Sequence, residues 1–353
     1  MTKARSAIVV THQRFALSSP IVSQVVEALR SYGFRVQVQA SDTLYSFGQG
    51  VPTVDETTEI VVVLGGDGTI LKAVELVKGT DVPVIGINLG HVGFLAEFES
   101  FEIETAMKRI AEKDYTIDDR MIADVELWEP DQSEPLKDWA LNDMVIYHGP
   151  HSPMIQVGVT VDDVAVSSFG CDGLIVSTPT GSTAYAFSAG GPIVWPGVKA
   201  LEMIPIAAHA LFTRPLIIGS ESTFGISVLE TRQDDAVITC DGRRAHPVPV
   251  GSRVVVRQSK DTLHLARLSD ARFTDRLVTK FNLPVVGWHE QAQKRLDSKN
   301  LDSRGKTSEE RKMAENGSEN DQAHNQAIVD ALSEMTPRRD YRRTFATGKE
   351  DEC

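Results

Sequence analysis

The segment that most constrains the fold is a strand signal that passes through a glycine turn directly into a helix signal. Residues 60–64 are uniformly apolar and largely β-branched, which is typical of a strand buried within a parallel sheet. A Gly-Gly-Asp-Gly-Thr turn follows at residues 65–69, and apolar residues then recur at helical spacing until Gly79. A strand, a tight turn and a helix in this order predict an α/β domain with a doubly wound sheet.

The surrounding sequence repeats this alternation. Residues 7–10 and 82–87 have the composition of further strands, and a helix signal begins at Pro20 and stops at Gly33. Each helix signal stands between two strand signals, as the crossover connections of a parallel sheet require. We therefore predict that residues 1–118 form a doubly wound, Rossmann-like α/β domain.

The rest of the chain changes character twice. Residues 119–268 contain short alternating apolar runs separated by turns, with few long helical patterns, so we predict a mainly β, β-sandwich-like domain. A helix signal at residues 272–281 follows it. From residue 289 to residue 353 polar residues dominate and aromatic side chains almost vanish, which predicts a disordered tail.

Charge and cysteine content exclude several classes of protein. The net charge of −13 gives no general attraction to nucleic acid or anionic membranes, so any phosphate must meet local donors, local cations or a metal ion. The three cysteines are far apart, which argues against a disulfide scaffold or zinc site and indicates a reducing, cytoplasmic environment. No apolar run reaches the roughly 20 residues that a membrane helix needs.

The glycine turn at residues 65–69 is a candidate phosphate site. Ligands bind at the carboxyl edge of an open α/β sheet, where a helix start offers unpaired N–H groups to phosphate. Asp67 can accept a proton from an attacking hydroxyl or position a metal–phosphate group, or it can simply cap the helix. The turn lacks the Gly-Lys-Ser/Thr ending of a Walker A motif. Lys72 is one helical turn further on, where it either reaches a phosphate or faces solvent.

A second constellation lies in the predicted β domain. A strand that ends at Ser177 runs into a cluster of hydroxyl-bearing and glycine residues at 178–183. Hydroxyls and backbone N–H groups at such a turn can bind phosphate, ribose or amide groups, and the ring of Tyr185 can stack on a base. The alternative is a Ser/Thr-rich surface turn without a ligand.

Three further polar residues can add contacts to a nucleotide. Asp172 precedes the strand that ends at Ser177, and Asn142 and Asp143 begin another strand. A carboxylate and an amide side by side suit two ribose hydroxyls or an adenine edge. Each of these residues can instead serve as a turn or capping group.

Together these motifs resemble the NAD kinase family. The resemblance covers about residues 5–288 and rests on the order and spacing of the glycine turn, Leu141-Asn142-Asp143 and the long stretch at residues 172–192. The glycine turn is shared with lipid and phosphofructokinase-like kinases, whereas the long stretch is highly specific. The resemblance implies phosphorylation of the 2′-hydroxyl of the adenosine ribose of NAD to give NADP, with ATP or polyphosphate as donor and Mg²⁺ as the divalent metal.

The resemblance also implies a role for each matching residue. Asp67 is the proton acceptor, and Gly68 lies at the phosphates. Lys72 contacts the dinucleotide, and Asn142 and Asp143 hold NAD. The other matching dinucleotide contacts are Asp172, Thr183, Ala184, Tyr185, Ala186, Phe187, Ser188 and, after Cys240-Asp241-Gly242, Arg243.

Family membership further implies a homo-oligomer, a dimer or a tetramer, in which the NAD site is completed across subunits. It also implies that the end of the folded chain, residues 269–288, returns to pack on the first domain. Two positions depart from the pattern. Some relatives carry a basic residue or histidine where Pro153 and Gly170 stand here, which leaves the positive group at those places unassigned.

Two other functions fit the glycine turn taken alone. A lipid or sugar kinase shares it, but such an enzyme does not explain the stretch at residues 177–185. A non-catalytic dinucleotide sensor is the second alternative, and the intact Asp67 and Lys72 argue against it.

Overall fold

The computed structural model describes residues 4–12, 19–42, 53–88, 93–97, 102–149, 152–210, 214–229 and 236–283. The predicted disordered tail, residues 289–353, lies outside these ranges, as do the last residues of the predicted return segment. Among the helices in these ranges, none is both long enough and apolar enough to cross a membrane.

The first part of the chain alternates strands and helices. In chain order these elements are β1 (Arg5–Thr11), α1 (Pro20–Ser31), β2 (Phe34–Ala40), β3 (Thr58–Leu64), α2 (Asp67–Ala73), β4 (Val84–Ile87) and α3 (Ile103–Glu112). The four strands are parallel and lie in the order β2-β1-β3-β4. The chain passes from β1 to β2 on one side of β1 and then crosses to β3 on the other side. The carboxyl ends of β1 and β3 therefore form a topological switch point.

Helices cover both faces of this sheet. Alternate residues of β1 face opposite sides, so that Ala7 and Val9 pack with α1 and α3, whereas Ile8 and Val10 pack with α2. This three-layer arrangement confirms the predicted doubly wound α/β domain.

One of the three helices was missed by the sequence interpretation. The helix α1 begins at Pro20, as predicted, and buries Val22 and Leu29. The unpredicted α3 buries Met107 and Ile110 against the same face of the sheet. Half of its ten residues are apolar, but this short stripe was not recognised in the sequence.

The second part of the chain is mainly β. Its strands are β5 (Thr116–Trp128), β6 (Leu136–Ala140), β7 (Asp143–His148), β8 (Ile155–Val161), β9 (Val164–Cys171), β10 (Gly173–Ser177), β11 (Ala200–Ile206), β12 (Leu216–Gly219), β13 (Phe224–Val228), β14 (Ala236–Cys240), β15 (Arg244–Val248) and β16 (Arg253–Arg267). A one-turn helix, α4 (Tyr185–Ser188), follows β10, and α5 (Phe273–Phe281) follows β16.

These strands form two packed layers. One is a six-stranded antiparallel sheet in the order β12-β11-β10-β7-β14-β15. The other contains β16, β13, β8 and β9 with β5 and β6 alongside, and it continues into the four parallel strands. Buried side chains of both layers, among them Val176 and Ile238 from one and Val157 and Phe224 from the other, form a common core. This confirms the predicted β-sandwich-like second part.

Two long strands join the α/β part to the sandwich. The strand β16 pairs with β5 along most of its length and also meets β4, where Leu265 lies opposite Val84. The predicted domain boundary at residue 118 lies inside β5, and the one at residue 268 directly follows β16.

The helix α5 lies beside both parts of the chain. Its Phe273 and Phe281 are 5.7 Å and 5.9 Å from Phe94 of the first part, measured between ring centroids. On the sandwich side, Phe281 lies 4.6 Å from Phe187, and Phe273 lies 4.8 Å from Trp195. These aromatic contacts bring α5 to the carboxyl edge of the parallel sheet.

Candidate active site

Asp67 stands at the carboxyl edge of the parallel sheet, directly after β3. Its Oδ2 accepts a hydrogen bond from the amide of Phe94 at 2.8 Å. Its Oδ1 accepts from the amides of Leu95 at 3.0 Å and Ala96 at 3.3 Å. Three backbone donors therefore hold one half-buried carboxylate in a defined orientation.

The segment 93–97, which supplies these amides, was missed by the sequence interpretation. Its one signal is Gly93, because a Cβ there would collide with the carboxylate of Asp67. Glycine is thus needed for the close approach of the two segments. The bond from Phe94 to Asp67 joins residues 27 apart in sequence, and no local pattern predicts it.

Five of the twelve predicted binding residues line one cavity in the sandwich part. The cavity has a volume of about 640 Å³, within the range of small-molecule sites. It is lined by Asn142, Asp143, Val145, Tyr147, His148, Asp172, Ala184, Tyr185, Ile206, Thr239, Asp241 and Gly242. Five of the predicted residues are among them: Asn142, Asp143, Asp172, Ala184 and Tyr185.

The other predicted residues lie outside that lining. Gly68 is exposed in the glycine turn and Lys72 is half-buried on α2. Thr183 directs its hydroxyl to the carbonyl of Thr180 at 3.2 Å. Ala186 is buried against Ile175 and Ile204, whereas Phe187 and Ser188 are exposed on α4.

Two acidic side chains at the cavity are buried. Burial, reinforced by the neighbouring Asp241, raises the pKa of Asp143 to about 7. Burial also raises the pKa of Asp241, although its hydrogen bonds with Leu141, Asn142 and Arg244 act in the opposite direction. A ligand that donates hydrogen bonds to Asp143 would replace the water this carboxylate has lost.

Asp241 organises the backbone in front of Asp143. Its two carboxylate oxygens accept hydrogen bonds from the amides of Leu141 at 3.0 Å and Asn142 at 2.7 Å. The sequence interpretation mentioned Asp241 only as the residue that precedes Gly242 and Arg243. Its distance of 100 residues from Leu141 hid this role.

The hydroxyl cluster after β10 supports the same backbone from the other side. Thr178 donates its hydroxyl to the carbonyl of Leu141 at 2.5 Å, and Ser177 donates to the carbonyl of Asn142 at 3.1 Å. Ser182 is buried and donates to the carbonyl of Pro179 at 2.7 Å. These hydroxyls position the wall of the cavity, a use that the sequence interpretation did not consider.

An ion-pair cluster connects α2 with the Asp241 turn. Glu75, in the 3₁₀ turn Val74–Leu76 that continues α2, lies 2.7 Å from Nη1 of Arg244 and 3.6 Å from Nε of Arg243. Arg244 also approaches Asp241 at 3.3 Å and Asp138 at 2.8 Å. Arg243, predicted as a dinucleotide contact, therefore faces the helix that begins at Asp67.

Of the two positions that depart from the family pattern, Pro153 is exposed and Gly170 is buried. Gly170 belongs to β9, and a Cβ there would lie 2.6 Å from Sδ of Met154, so a larger side chain requires Met154 to move. Its carbonyl accepts a hydrogen bond from the amide of His209 at 2.8 Å. Among the described residues that line the cavity, His148 is the one with a basic side chain.

Family models match both parts of the chain. The model described as ATP-NAD kinase N-terminal domain matches residues 17–115, and the model described as ATP-NAD kinase C-terminal domain matches residues 141–268. The chain is 56% identical to an NAD kinase of Bifidobacterium longum (strain DJO10A) over 297 residues, which span 84% of this chain and 87% of that protein. It is 45% identical to an NAD kinase of Mycobacterium tuberculosis (strain CDC 1551 / Oshkosh) over 255 residues, 70% and 82% of the two chains.

Solved structures share the fold. A yeast NADH kinase complexed with NADH superposes with a TM-score of 0.69 at 22% identity, covering 81% of this chain and 90% of that one. An NAD kinase from Archaeoglobus fulgidus in complex with ATP superposes with a TM-score of 0.60 at 26% identity, covering 79% and 100%. The similarity therefore includes both parts of the described chain.

Proposed function

Because the chain belongs to the ATP-NAD kinase family and is an NAD kinase, we propose that its glycine turn and its cavity serve the two sides of one transfer reaction. The enzyme phosphorylates the 2′-hydroxyl of the adenosine ribose of NAD and releases NADP. The cavity with Asn142, Asp143, Asp172 and Tyr185 receives NAD, and the turn that carries Asp67 receives the terminal phosphate of the donor.

The observation that carries the proposed role of Asp67 is its hydrogen-bond count. A carboxylate offers about four lone-pair positions, and three are occupied by the amides of residues 94–96. Counting the described residues, one position is left to accept a hydrogen bond from the substrate hydroxyl. Asp67 then takes the proton as the oxygen of the 2′-hydroxyl bonds to the phosphorus and the bond to the departing ADP breaks.

The surroundings of Asp67 suit the donor phosphates. Gly68 is exposed and lacks a side chain, so a phosphate can approach the backbone there. Lys72 lies on the same helix, α2, and its ammonium group can offset phosphate charge. Such fixed donors and charges stabilise the transferring group without reorganising during the step.

A divalent cation fits this arrangement only as a companion of the donor. The described residues contain no group of three or more His, Cys, Asp or Glu side chains that would hold a metal by themselves. Mg²⁺ commonly keeps several waters and is bound by substrate phosphates, and because the remaining acceptor position of Asp67 is assigned to the substrate hydroxyl, the donor phosphates would hold the ion. When bound, Mg²⁺ would neutralise charge on the transferring phosphoryl group.

A direct assay tests the donor and the acceptor together. The protein is incubated with Mg²⁺ and NAD, or Mg²⁺ and NADH, with either ATP or polyphosphate, and the phosphorylated product is measured with an NADP-specific dehydrogenase. We expect product with NAD and ATP, while the polyphosphate reaction decides whether the donor site accepts a chain without a base. Measurable NAD binding without any product from either donor would contradict the proposal.

We also propose a cytoplasmic homo-oligomer, a dimer or a tetramer. The strand β9 forms one end of the ten-stranded sheet, and its Val164 and Val166 are exposed, which leaves an apolar edge for a second copy. Cys171 and Cys240 are free thiols, as a reducing compartment allows. Light scattering of the wild type and of Val166→Lys measures the oligomer, and an unchanged mass in the variant would exclude this edge.

A further inference from the structure

The segment that holds Asp67 has two chemically different sides. Its amides point to the carboxylate of Asp67, as described above. Its carbonyls point the other way, toward two guanidinium groups. Nη1 of Arg267 donates to the carbonyl of Leu95 at 2.6 Å, and Nη1 of Arg276 donates to the carbonyl of Ala96.

Both arginines are buried charges. Arg267 is 8% exposed and Arg276 is 3% exposed. Burial, reinforced by the nearby Arg267, lowers the pKa of Arg276 to about 10, so its guanidinium keeps its charge at neutral pH. Arg267 pairs with Asp118 at 3.2 Å and lies 3.6 Å from Glu97. Charges that are so costly to bury are usually retained for a specific contact.

The two arginines come from the far end of the folded chain. Arg267 is the last residue of β16, and Arg276 belongs to α5. Phe273 and Phe281 of α5 flank the ring of Phe94, and Arg276 of the same helix bonds the carbonyl of Ala96. The helix therefore contacts the segment 94–96 through both a side chain and the main chain. Glu97 adds an anchor, since it accepts hydrogen bonds from the amide and the hydroxyl of Ser269 at 3.1 Å and 2.9 Å.

A hydrogen-bond donor at the carbonyl of a peptide group strengthens the hydrogen bond that the N–H of that group donates. A hydrogen bond to a peptide carbonyl polarises that peptide group, and the N–H of a polarised chain becomes a better donor. A guanidinium on the carbonyl of Leu95 acts on the amide of Ala96, because both belong to one peptide group. The same contact fixes the plane of that peptide, and therefore the direction in which its N–H points.

We propose that Arg267 and Arg276 are positioning residues for phosphoryl transfer. Arg267 orients the peptide group whose N–H faces Asp67, and Arg276 fixes the next peptide group, whose N–H donates to Gly86 at 2.7 Å, so that the segment 94–96 keeps Asp67 in its accepting orientation. This inference rests on the proposed role of Asp67. It predicts that α5, which lies outside the dinucleotide cavity, controls the rate of transfer and not the binding of NAD. Neither arginine is among the residues that line the cavity, so we assign both an action through Asp67.

The first experiment compares Arg276→Gln, Arg276→Lys and the control Arg109→Gln. Arg109 donates to the carbonyl of Leu268, the residue after Arg267, at 2.6 Å. It has no hydrogen bond with the segment 94–96. We expect kcat to fall about 30-fold in Arg276→Gln and about 3-fold in Arg276→Lys, since misplacing a catalytic group by about 1 Å can cost 100-fold. KM for NAD and for ATP should stay within about twofold, and Arg109→Gln should match the wild type.

Several outcomes would overturn the inference. They are a wild-type kcat in Arg276→Gln, a rise of KM for NAD at unchanged kcat, or equal losses in the glutamine and lysine variants. Circular dichroism establishes whether each variant is folded. Should Arg276→Gln fail to fold, Arg276→Lys decides by itself, and a wild-type kcat in that variant rejects the role.

A double substitution separates this inference from the assignment of Asp67. If Arg276 acts through Asp67, the change Arg276→Gln lowers kcat far less in an Asp67→Asn background than in the wild type. Equal losses in both backgrounds mean a general structural role and reject the inference. Full activity of Asp67→Asn alone rejects the proposed base, whereas an inactive Asp67→Asn beside a fully active Arg276→Gln rejects only the positioning role.

Discussion

Two carboxylates, Asp67 and Asp241, use the same device in different parts of the molecule. Each accepts backbone amide hydrogen bonds from a segment distant in sequence, three for Asp67 and two for Asp241. Arginine side chains contribute at both places. Arg276 and Arg267 donate to the carbonyls of the segment whose amides hold Asp67, whereas Arg244 contacts Asp241 directly. The difference lies in exposure, since Asp67 is half-buried while Asp241 is 7% exposed.

In the proposed mechanism, this difference separates a reacting group from a supporting one. The half-buried Asp67 keeps one acceptor position that a substrate can reach. Asp241 also lines the cavity, but its carboxylate is occupied by the backbone amides of Leu141 and Asn142, the residues before Asp143. Hydrogen bonds from backbone amides to a carboxylate can orient either partner. At Asp67 they orient the side chain, and at Asp241 they orient the main chain.

The largest expected effect comes from Asp67→Asn. Asparagine keeps the shape but removes the proton acceptor, and general base catalysis contributes about 10² to 10⁴ in rate. We expect kcat to fall about 1,000-fold, while calorimetric titration shows the affinity for NAD within about threefold of the wild type. Activity close to that of the wild type would remove the distinction between the two carboxylates.

Glu202 shows what happens to a buried carboxylate without amide donors. It is 1% exposed, and within the described part of the chain neither of its carboxylate oxygens has a hydrogen-bond partner. Burial raises its pKa from 4.5 to about 7. The folded protein therefore keeps the Glu202 proton over a pH range in which the unfolded chain loses it.

The sign of the resulting pH dependence follows from linkage. The stability associated with the raised pKa of Glu202 is fully present below about pH 4.5, declines as pH rises, and is lost once pH passes about 7. Glu202→Gln removes this titration, so we expect the variant to gain on the order of 3 kcal/mol over the wild type at pH 8 relative to pH 4.5. Urea unfolding at the two pH values measures the change. Parallel stability profiles would show that this carboxylate is solvated after all.

Asp241→Asn weakens the supporting carboxylate in the comparison. The substitution replaces one carboxylate oxygen, which accepts from a backbone amide, by an NH₂ group. This group then faces the N–H of Leu141 or Asn142, and such a mismatch of two donors costs about 1–3 kcal/mol. We expect KM for NAD to rise about 10-fold, with kcat changed less than KM. The matched control is Asp162→Asn, because Asp162 accepts the amide of Thr223 at 2.8 Å in an exposed turn. A kcat effect as large as that of Asp67→Asn would mean that Asp241 acts in the transfer itself.

The smallest expected effect comes from the ion pair that links the two regions. Glu75→Gln removes the carboxylate that reaches Arg244 from α2, but Arg244 keeps Asp138 and Asp241. We expect kcat/KM for NAD to fall about 2- to 3-fold, in line with about 0.5–1 kcal/mol for partly exposed pairs. Glu59→Gln, which breaks a similarly exposed pair with Arg5 at 2.9 Å, should leave kcat/KM unchanged. Equal kinetics of the two variants would show that the regions are not coupled through Glu75.

Elements with strong local patterns were predictable. The uniformly apolar residues 60–64 became the core of β3, and Pro20 with its helical repeat became α1. The ten-residue α3 was missed although half of its residues are apolar. For the site, Asn142, Asp143, Asp172, Ala184 and Tyr185 were predicted and line one cavity.

The rest of the site could not be predicted, because its contacts join residues that only the folded chain brings together. Arg276 reaches Ala96 across 180 residues, and Asp241 reaches Leu141 across 100. A buried arginine or aspartate has no periodicity that distinguishes it from a surface residue. Arg243 lies 3.6 Å from Glu75 of the first part of the chain, and its ligand contact stays a prediction.

The sequence by itself determined the fold class, the order of the motifs and the family, because strands, helices and glycine turns depend on local periodicity and local steric freedom. Only the tertiary structure decided which groups hold Asp67 and Asp241, because a hydrogen bond requires two atoms within about 3 Å whatever their distance along the chain. For Asp67, packing of β16 and α5 against the first part of the chain brings Arg267 and Arg276 to the carbonyls of the segment whose amides bond its carboxylate.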